Sequence, residues 1–327
     1  MHNRFGDRFA ITLFGASHAP ETGVHIDGMP AGIPLAAEDF EHDLAARRAG
    51  AAGTTPRRED DIPLIEGLSD GVTTGGRVTV RFRNGNTRPQ DYALFADHPR
   101  PSHADLVARR RYGAEADLAG GGIFSGRMTV GIVAAGVAAK KVLPAGVHFT
   151  SRLTEVGGCR NADEFDSIIA AAAAAGDSVG GVTECCVEGL PAGLGEPFFD
   201  SAESVMAHIL FSIPAVKGVE FGAGFEGVKL RGSQRNDRIT DADGTTASNN
   251  EGGINGGLTN GNPIVVRVAI KPTASIALPQ ETFHFGHGRT EPLTIGGRHD
   301  VCIALRARIA VEAAIAIALA DLYLQQS

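Results

Sequence analysis

Two stretches of this chain are apolar on nearly every side, and they restrict the fold more than any other feature. One is Thr129 to Val142, TVGIVAAGVAAKKV, polar only at its paired lysines; the other runs from Ile309 to Leu324. A helix with no polar face must be covered on more than one side. The covering material has to come from Ala, Val, Ile and Leu, because the chain has no Trp and only 6% aromatic residues within a hydrophobic fraction of 43%. Small side chains allow helices to approach closely. Elsewhere Val78, Val80 and Phe82 alternate with Thr79, Arg81 and Arg83, the period of a half-buried strand. The economical arrangement is an α/β sandwich with Ala-rich helices in a central layer and amphipathic sheets outside them. A membrane span needs ~20 uninterrupted apolar residues, whereas the Ile309 run carries Glu312 and Asp321, so it reads as a helix buried in protein and no membrane role is expected.

No Pro/Ser-rich linker or low-complexity run divides the 327 residues, so residues 1–327 are expected to form one large domain. Short strands are expected at Phe9 to Phe14, Gly23 to Ile26, Val182 to Val187 and Pro263 to Ile270. Helices are expected over Ala37 to Arg48, with Phe40 and Leu44 on one face, and over Ser201 to Phe211, capped by Asp200 or Ser201. Asp166 to Ala175, with its run of Ala, reads as a further helix of the all-apolar kind. Strands leading into an Ala-rich helix occur in both halves of the chain, which hints at a pseudo-repeat without a shared motif. The 43 glycines lack a collagen period, so they mark turns and close backbone approaches.

A net charge of -8 argues against nucleic-acid binding, which needs a basic field. Local Arg clusters in an acidic chain point instead to a small anionic ligand. The four cysteines, Cys159, Cys185, Cys186 and Cys302, have no CxxC spacing, so neither zinc nor a disulfide framework is expected, and a reducing cytoplasm fits. The N-terminus lacks the long apolar segment of a signal peptide.

Three separated stretches carry proton-handling residues: Ser17-His18 in FGASHAP, His103 in RPSHAD, and Arg298-His299-Asp300 in GGRHDVC. A single histidine in a turn fits a structural role as well as a catalytic one, but imidazole near its pKa is the natural proton donor at neutral pH. No Gly-x-Ser-x-Gly elbow supports a serine hydrolase. The run Gly252-Gly253-Ile254-Asn255-Gly256-Gly257 fits either an ordinary glycine loop or exposed amides that meet phosphate or a planar ring; it is neither GxGxxG nor a P-loop. Lys271-Pro272-Thr273-Ala274-Ser275 follows an apolar strand and fits either an exposed turn or the polar edge of a phosphate or cofactor site. Arg47-Arg48, Arg57-Arg58 and Arg109-Arg110-Arg111 fit solvated faces, while Arg127, at the entry to an apolar helix, needs an anionic partner. His284 and His287 lack an evident third ligand, so no metal is expected.

Taken together, these segments resemble chorismate synthase. The likeness runs nearly end to end, through FGASHAP, IDGMPAGIPL, FEHDLAARRAG, RPSHAD, DSVGGVTECCVEGLPAGLGEP, SNNEGGINGGLTNG, KPTAS and GRHD. The resemblance implies a sandwich of inner helices and outer antiparallel sheets, a homotetramer, and conversion of 5-enolpyruvylshikimate 3-phosphate to chorismate and phosphate by a 1,4-elimination in the shikimate pathway. It implies reduced FMN, supplied by a separate flavin reductase with NADPH as a candidate reductant. By position, His18 would act on the departing phosphate, His103 would hold a proton near flavin N1, and Asp300, with Ser17 as neighbour, would assist proton removal through flavin N5. Ser17, Arg47, Arg48 and Arg127 match substrate contacts. Ser125, the Pro214-Ala215 pair, Gly256, Lys271, Pro272, Thr273, Ala274, Ser275 and Arg298 match flavin contacts.

The chain departs from the family pattern at Ile123-Phe124, where Arg-Ser is usual, and over Ala49 to Gly53, where a second arginine is missing. Phosphate recognition is then expected to lean on Arg47, Arg48, Arg57 and Arg127. These departures keep two other readings open: a divergent flavin-dependent lyase acting on another phosphorylated ring acid, and a non-catalytic flavin- or anion-binding protein.

Overall fold

The structure, a computed structural model, describes residues 3–50, 52–55, 61–85, 89–113, 118–297 and 299–326. Arg298, Arg57 and Arg58, singled out above, lie outside these residues. The first half begins with β1 (Arg4–Phe5), β2 (Ala10–Gly15), β3 (Glu21–Asp27) and α1 (Glu41–Arg47), followed by β4 (Leu64–Glu66), β5 (Leu68–Ser69), β6 (Val72–Thr73) and β7 (Val78–Arg83). Helices α2 (Asp105–Tyr112) and α3 (Thr129–Val142) close it. The second half contains β8 (His148–Val156), α4 (Phe165–Ala174), β9 (Gly181–Glu188), α5 (Ala202–Ser212) and β10 (Val216–Phe221). Two single turns, α6 (Gly224–Gly227) and α7 (Gly232–Arg235), lead to β11 (Ile254–Asn255), β12 (Leu258–Thr259), β13 (Ile264–Ile270), β14 (Gln280–His284), β15 (Arg289–Leu293) and α8 (Ala304–Gln325).

The sheets are antiparallel. One has the order β1-β2-β3-β7-β4 and the other β10-β13-β9-β8. Between them lie the central helices: α3 packs on β2, β3 and β7, α8 packs on β8, β9 and β13, and α1 and α5 join the same layer against α8. This is the expected sandwich of inner helices and outer sheets, and one hydrophobic core runs through it from Phe9 to Leu322. Both halves place an antiparallel sheet ahead of an Ala-rich helix, but the strand orders differ.

Close approach of α3 and α8 depends on small residues. A Cβ placed on Gly136 would overlap Ala313, standing 2.6 Å from its Cα, and one on Gly131 would meet the Gly23 carbonyl oxygen at 3.0 Å. The two acidic residues that interrupt the α8 run are buried and occupied. Asp321 accepts hydrogen bonds from the main-chain N–H groups of Asp7 (3.0 Å), Arg8 (2.7 Å) and Phe9 (2.9 Å), tying the N-terminal turn to the last helix. Glu312 accepts from Lys140 Nζ at 2.6 Å, and the same ammonium reaches Asp43 at 2.7 Å. No described helix is long and apolar enough to cross a membrane.

Most expected elements occur close to their expected bounds, with one difference in placement. Helix α4 lies on the surface, with only Ile169 buried. Ala is the best helix former and costs little when exposed, so an Ala run fixes helix without fixing burial. At α5 the cap is Ser201, whose hydroxyl accepts from Ser204 N at 3.1 Å.

Candidate active site

A cleft of about 780 Å3 opens where the first-half turns meet the ends of the second-half strands. It gathers Arg47, Arg48, His103, Ser125, Arg127 and Asp300 with Ala215 and the whole Lys271–Ser275 segment. Seven cationic side chains line it among the described residues: Arg47, Arg48, Arg100, Arg127, Arg306, Lys217 and Lys271, against the carboxylates Asp61 and Asp300. A concentration of positive charge in a chain of net charge -8 focuses the field on anions. Ile213, Pro214, Ala215 and Val216, with Ile123 and Phe124, supply an apolar part of its lining.

Strain is stored in this wall. Of the four non-glycine residues with positive φ among those described, Ser102 (φ 57) and Ala215 (φ 75) both line the cleft. Each such conformation costs on the order of 1–3 kcal/mol and persists only where the surroundings enforce it. Lys271 supplies part of that enforcement: its N–H donates to Ala215 O at 3.0 Å and its Nζ donates to Ser102 O at 2.7 Å. Burial and the nearby Lys217 push the Lys271 ammonium below its ordinary pKa.

His103 is held by charged partners. Asp105, buried at the start of α2, accepts from His103 Nδ1 at 2.6 Å and from Arg100 Nε and Nη2, each at 2.8 Å. Arg100 Nη1 then donates to Ser275 Oγ at 3.1 Å, and its guanidinium lies 4.3 Å from the centre of the Phe95 ring. Burial alone would raise the Asp105 carboxyl, but hydrogen bonds from Arg100 and His103 outweigh it and hold the group well below the usual carboxylate range. With Nδ1–H donating to that carboxylate, Nε2 is the nitrogen left to exchange a proton with a ligand.

His18 lies behind the cleft surface. Its Nδ1 is 3.3 Å from Ser17 Oγ, and its ring meets Tyr92 edge-on at 5.2 Å. The glycine turn 120–122 separates it from His103: a Cβ on Gly120 would collide with the His18 ring and stand 2.8 Å from Ser17 Oγ, while one on Gly121 would touch His103 Cε1 at 3.6 Å. Gly120 itself lines the cleft. Its missing side chain is what lets the imidazole come up to the wall.

Arg47 and Arg127 are buried and share Asp61. Arg47 Nη1 reaches Asp61 Oδ2 at 2.9 Å and Nε donates to Thr129 Oγ1 at 3.1 Å; Arg127 pairs with the other Asp61 oxygen, and its Nε donates to Asn84 Oδ1 at 2.9 Å. Asn84 also donates to the carbonyls of Ala16 and Ala19, which links the His18 turn to Arg127. Arg48 is exposed. Asp300 accepts from Thr55 N at 3.0 Å and Arg306 Nη2 at 2.9 Å. His299 lines the cleft; burial first, then Arg100 and His103, push its pKa below the ordinary value, and its Nε2 lies 3.2 Å from Gly296 O.

Two expectations need correction. Ser17 is fully buried and does not line the cleft; its N–H donates to Gly122 O at 3.2 Å, so the glycine turn covers it, and its hydroxyl neighbours His18 rather than Asp300. Gly256 is exposed at the turn of the β11–β12 ribbon, outside the cleft. Its φ of 61 serves a tight hairpin, and that requirement explains the glycine. Ile123 and Phe124, which stand where Arg-Ser is usual, line the cleft as the sequence indicated, and Phe124 packs beside Tyr112 at 6.3 Å. Conversely, Arg100, Asp105, Asp61 and Lys217 were not singled out. The first two stand inside the RPSHAD segment, so a charge pair bracketing His103 was already visible there; nothing local marks Asp61 or Lys217.

The buried atoms without a hydrogen-bond partner include two in this cleft, Thr273 Oγ1 and Arg306 Nε. Orphaned polar atoms on residues that line a cavity fit a ligand that brings its own donors and acceptors. A sequence model of the chorismate synthase family matches residues 9–324. A chorismate synthase from Chitinophaga pinensis is 54% identical over 323 residues, covering 98% of this chain and 96% of that protein. One from Opitutus terrae is 41% identical over 357 residues, covering 100% and 98%. A crystal structure of a chorismate synthase superposes with a TM-score of 0.76 at 27% identity, covering 98% of this chain and 93% of the other.

Proposed function

The chain belongs to the chorismate synthase family and is a chorismate-forming lyase, and from that premise we propose that the cationic cleft holds 5-enolpyruvylshikimate 3-phosphate against reduced FMN. The carrying observation is the seven-cation wall beside an apolar wall in one cleft, which suits a polyanion next to a planar ring system. The volume of about 780 Å3 is at the upper end of the roughly 300–1,000 Å3 of small-molecule sites. Thr273 Oγ1, Ser125, Lys271 and Ala215 are the residues that would hold the flavin, with Arg298 and the other members of the Pro272–Ser275 segment. Reduced FMN, held there, would supply transient electron donation to a reaction whose net redox change is zero.

The chain's own residues do the rest. Arg47, Arg48 and Arg127 bind the anionic groups, the first and last pre-set by Asp61. In the elimination, the carbon–oxygen bond to phosphate breaks, a ring proton is lost and a double bond forms. His18 protonates or hydrogen-bonds the departing phosphate, and Ser17 positions that imidazole through Nδ1. His103 holds a proton at Nε2 for the flavin's N1, oriented by Asp105. Asp300, fixed by Thr55 and Arg306, would assist loss of the ring proton.

By the family resemblance we also propose a homotetramer; Phe198, Phe199, Phe225, Val228 and Ile239 are 87, 91, 76, 81 and 67% exposed, apolar side chains of the kind that self-association covers. A separate flavin reductase, drawing on NADPH, supplies the reduced flavin, and the four unpaired cysteines suit a cytoplasmic setting. The test is anaerobic turnover with chemically reduced FMN, following phosphate release and chorismate absorbance together. His18→Ala and His103→Ala each lower turnover by at least about a hundredfold with the fold intact; unchanged rates in both would overturn the assignment.

A further inference from the structure

None of the side chains of the β14–β15 hairpin lines the cleft. In sequence it shows two histidines and no third donor. The register of the ribbon supplies one. Thr282 faces Glu291 and His284 faces Arg289 across the strands, and alternate strand residues share a face, so Glu291 stands diagonally beside His284. His287, in the connecting turn, folds back over both: its ring stacks on His284 at 3.8 Å with planes 6° apart, and its Nδ1 lies 3.0 Å from Glu291 Oε2. One donor atom from each of His284, His287 and Glu291 lies within 4.8 Å of the other two.

We propose that His284, His287 and Glu291 bind one divalent cation of the zinc, nickel or copper class at the tip of this hairpin. Two imidazoles and a carboxylate suit borderline ions; magnesium and calcium prefer all-oxygen sets. Ligand atoms around tetrahedral zinc are about 3.3 Å apart, given bonds of ~2.0–2.2 Å; the His287–Glu291 pair already meets that spacing, and the widest pair closes by at most roughly 1.5 Å. The lone pairs of parallel rings run side by side, and one ring must therefore turn. The His287 side chain is 58% exposed and turns without disturbing the core. His284 binds through Nδ1, exchanging its 3.2 Å contact with His287 N for the metal while Nε2 keeps its proton. The fourth position faces solvent. At the base of the ribbon, Leu293 and Ile295 pack on Phe95, the ring beneath Arg100, so a metal at the tip stiffens the element that supports the His103 network.

The test uses the full chain stripped with a chelator and titrated with zinc chloride alone by calorimetry, then with cobalt chloride by visible absorption. One ion binds per chain, and it raises the thermal midpoint. His287→Ala and Glu291→Gln each weaken binding by more than about tenfold and abolish the rise, while chorismate formation without metal is unchanged. The exposed position of His287 keeps the fold of its variant intact, which circular dichroism checks. Absence of binding at about millimolar metal, or equal binding in both variants, which would place the ion elsewhere, overturns the proposal.

Discussion

In Asp105→Asn the side chain keeps its shape and one acceptor oxygen but loses the charge shared by four donors: Arg100 N at 3.1 Å, Arg100 Nε and Nη2 at 2.8 Å, and His103 Nδ1 at 2.6 Å. Removing one member of a buried ion pair costs about 3–5 kcal/mol because the other charge stays buried. Arg100 retains Ser275 Oγ and the Phe95 face, so the lower end, about 3 kcal/mol, is expected. At roughly 2 °C per kcal/mol for a long chain, the thermal midpoint falls by about 6 °C. Turnover falls further than stability requires, by about 10²- to 10⁴-fold, since an amide NH2 facing Nδ1 forces the proton onto Nε2 and inverts the tautomer. The pH dependence has a definite sign. The Asp105 carboxyl is depressed in the fold and titrates near 3.9 when unfolded. Its contribution is therefore full at neutral pH, and the gap between the unaltered chain and the variant narrows as pH falls below about 4. Thermal melts across that range and anaerobic turnover at neutral pH make the assay. Turnover within about twofold and a midpoint within about 1 °C would refute a positioning role.

Gly120→Ala drives a Cβ into the His18 ring at φ 59; a stability loss of about 2 kcal/mol with near-complete loss of turnover is expected, and a fully active variant would remove His18 from the site. Asp61→Asn strips the shared counter-charge from Arg47 and Arg127, so stability drops by about 3 kcal/mol while inorganic phosphate inhibits at lower concentration; an unchanged inhibition constant would separate these arginines from phosphate recognition. Gly136→Ala overpacks the α3–α8 contact at Ala313 and should cost about 1–3 kcal/mol in urea unfolding, with turnover per folded molecule preserved. No change in unfolding midpoint would mean that the two helices separate more easily than their spacing indicates.

Local pattern was enough for the elements whose burial follows from their own residues. Val78, Val80 and Phe82 alternate and are all fully buried, and Phe40, at the N-cap of α1, and Leu44, within it, are both buried. The rule fails at α4, because Ala is compatible with both water and core. The β14–β15 ribbon was also missed: Pro292 and the polar alternation of Gln280 to His284 give no clear strand signal, and the pairing is set by packing on Phe95. At the site, His103, Arg47, Arg48, Arg127 and the Lys271–Ser275 segment, singled out from motif order, do line the cleft, whereas Ser17 and Gly256 were assigned to contacts that backbone geometry in this chain gives to a covering turn and a hairpin.

The sequence by itself determined that two all-apolar helices must be enclosed, that the chain is acidic with local cationic clusters, and, through motifs in order, which family it resembles. Those are properties of composition and spacing, which the chain carries before it folds. Only the tertiary structure decided which groups work as pairs. Arg100 meets Ser275 across 175 residues and Thr55 meets Asp300 across 245, and no local periodicity encodes contacts of that range. Nor could the sequence show that two arginines share one buried aspartate, or that a glycine turn stands between the two histidines. These outcomes depend on which surfaces α3 and α8 bring together, because a buried charge is tolerated only where the fold delivers its partner.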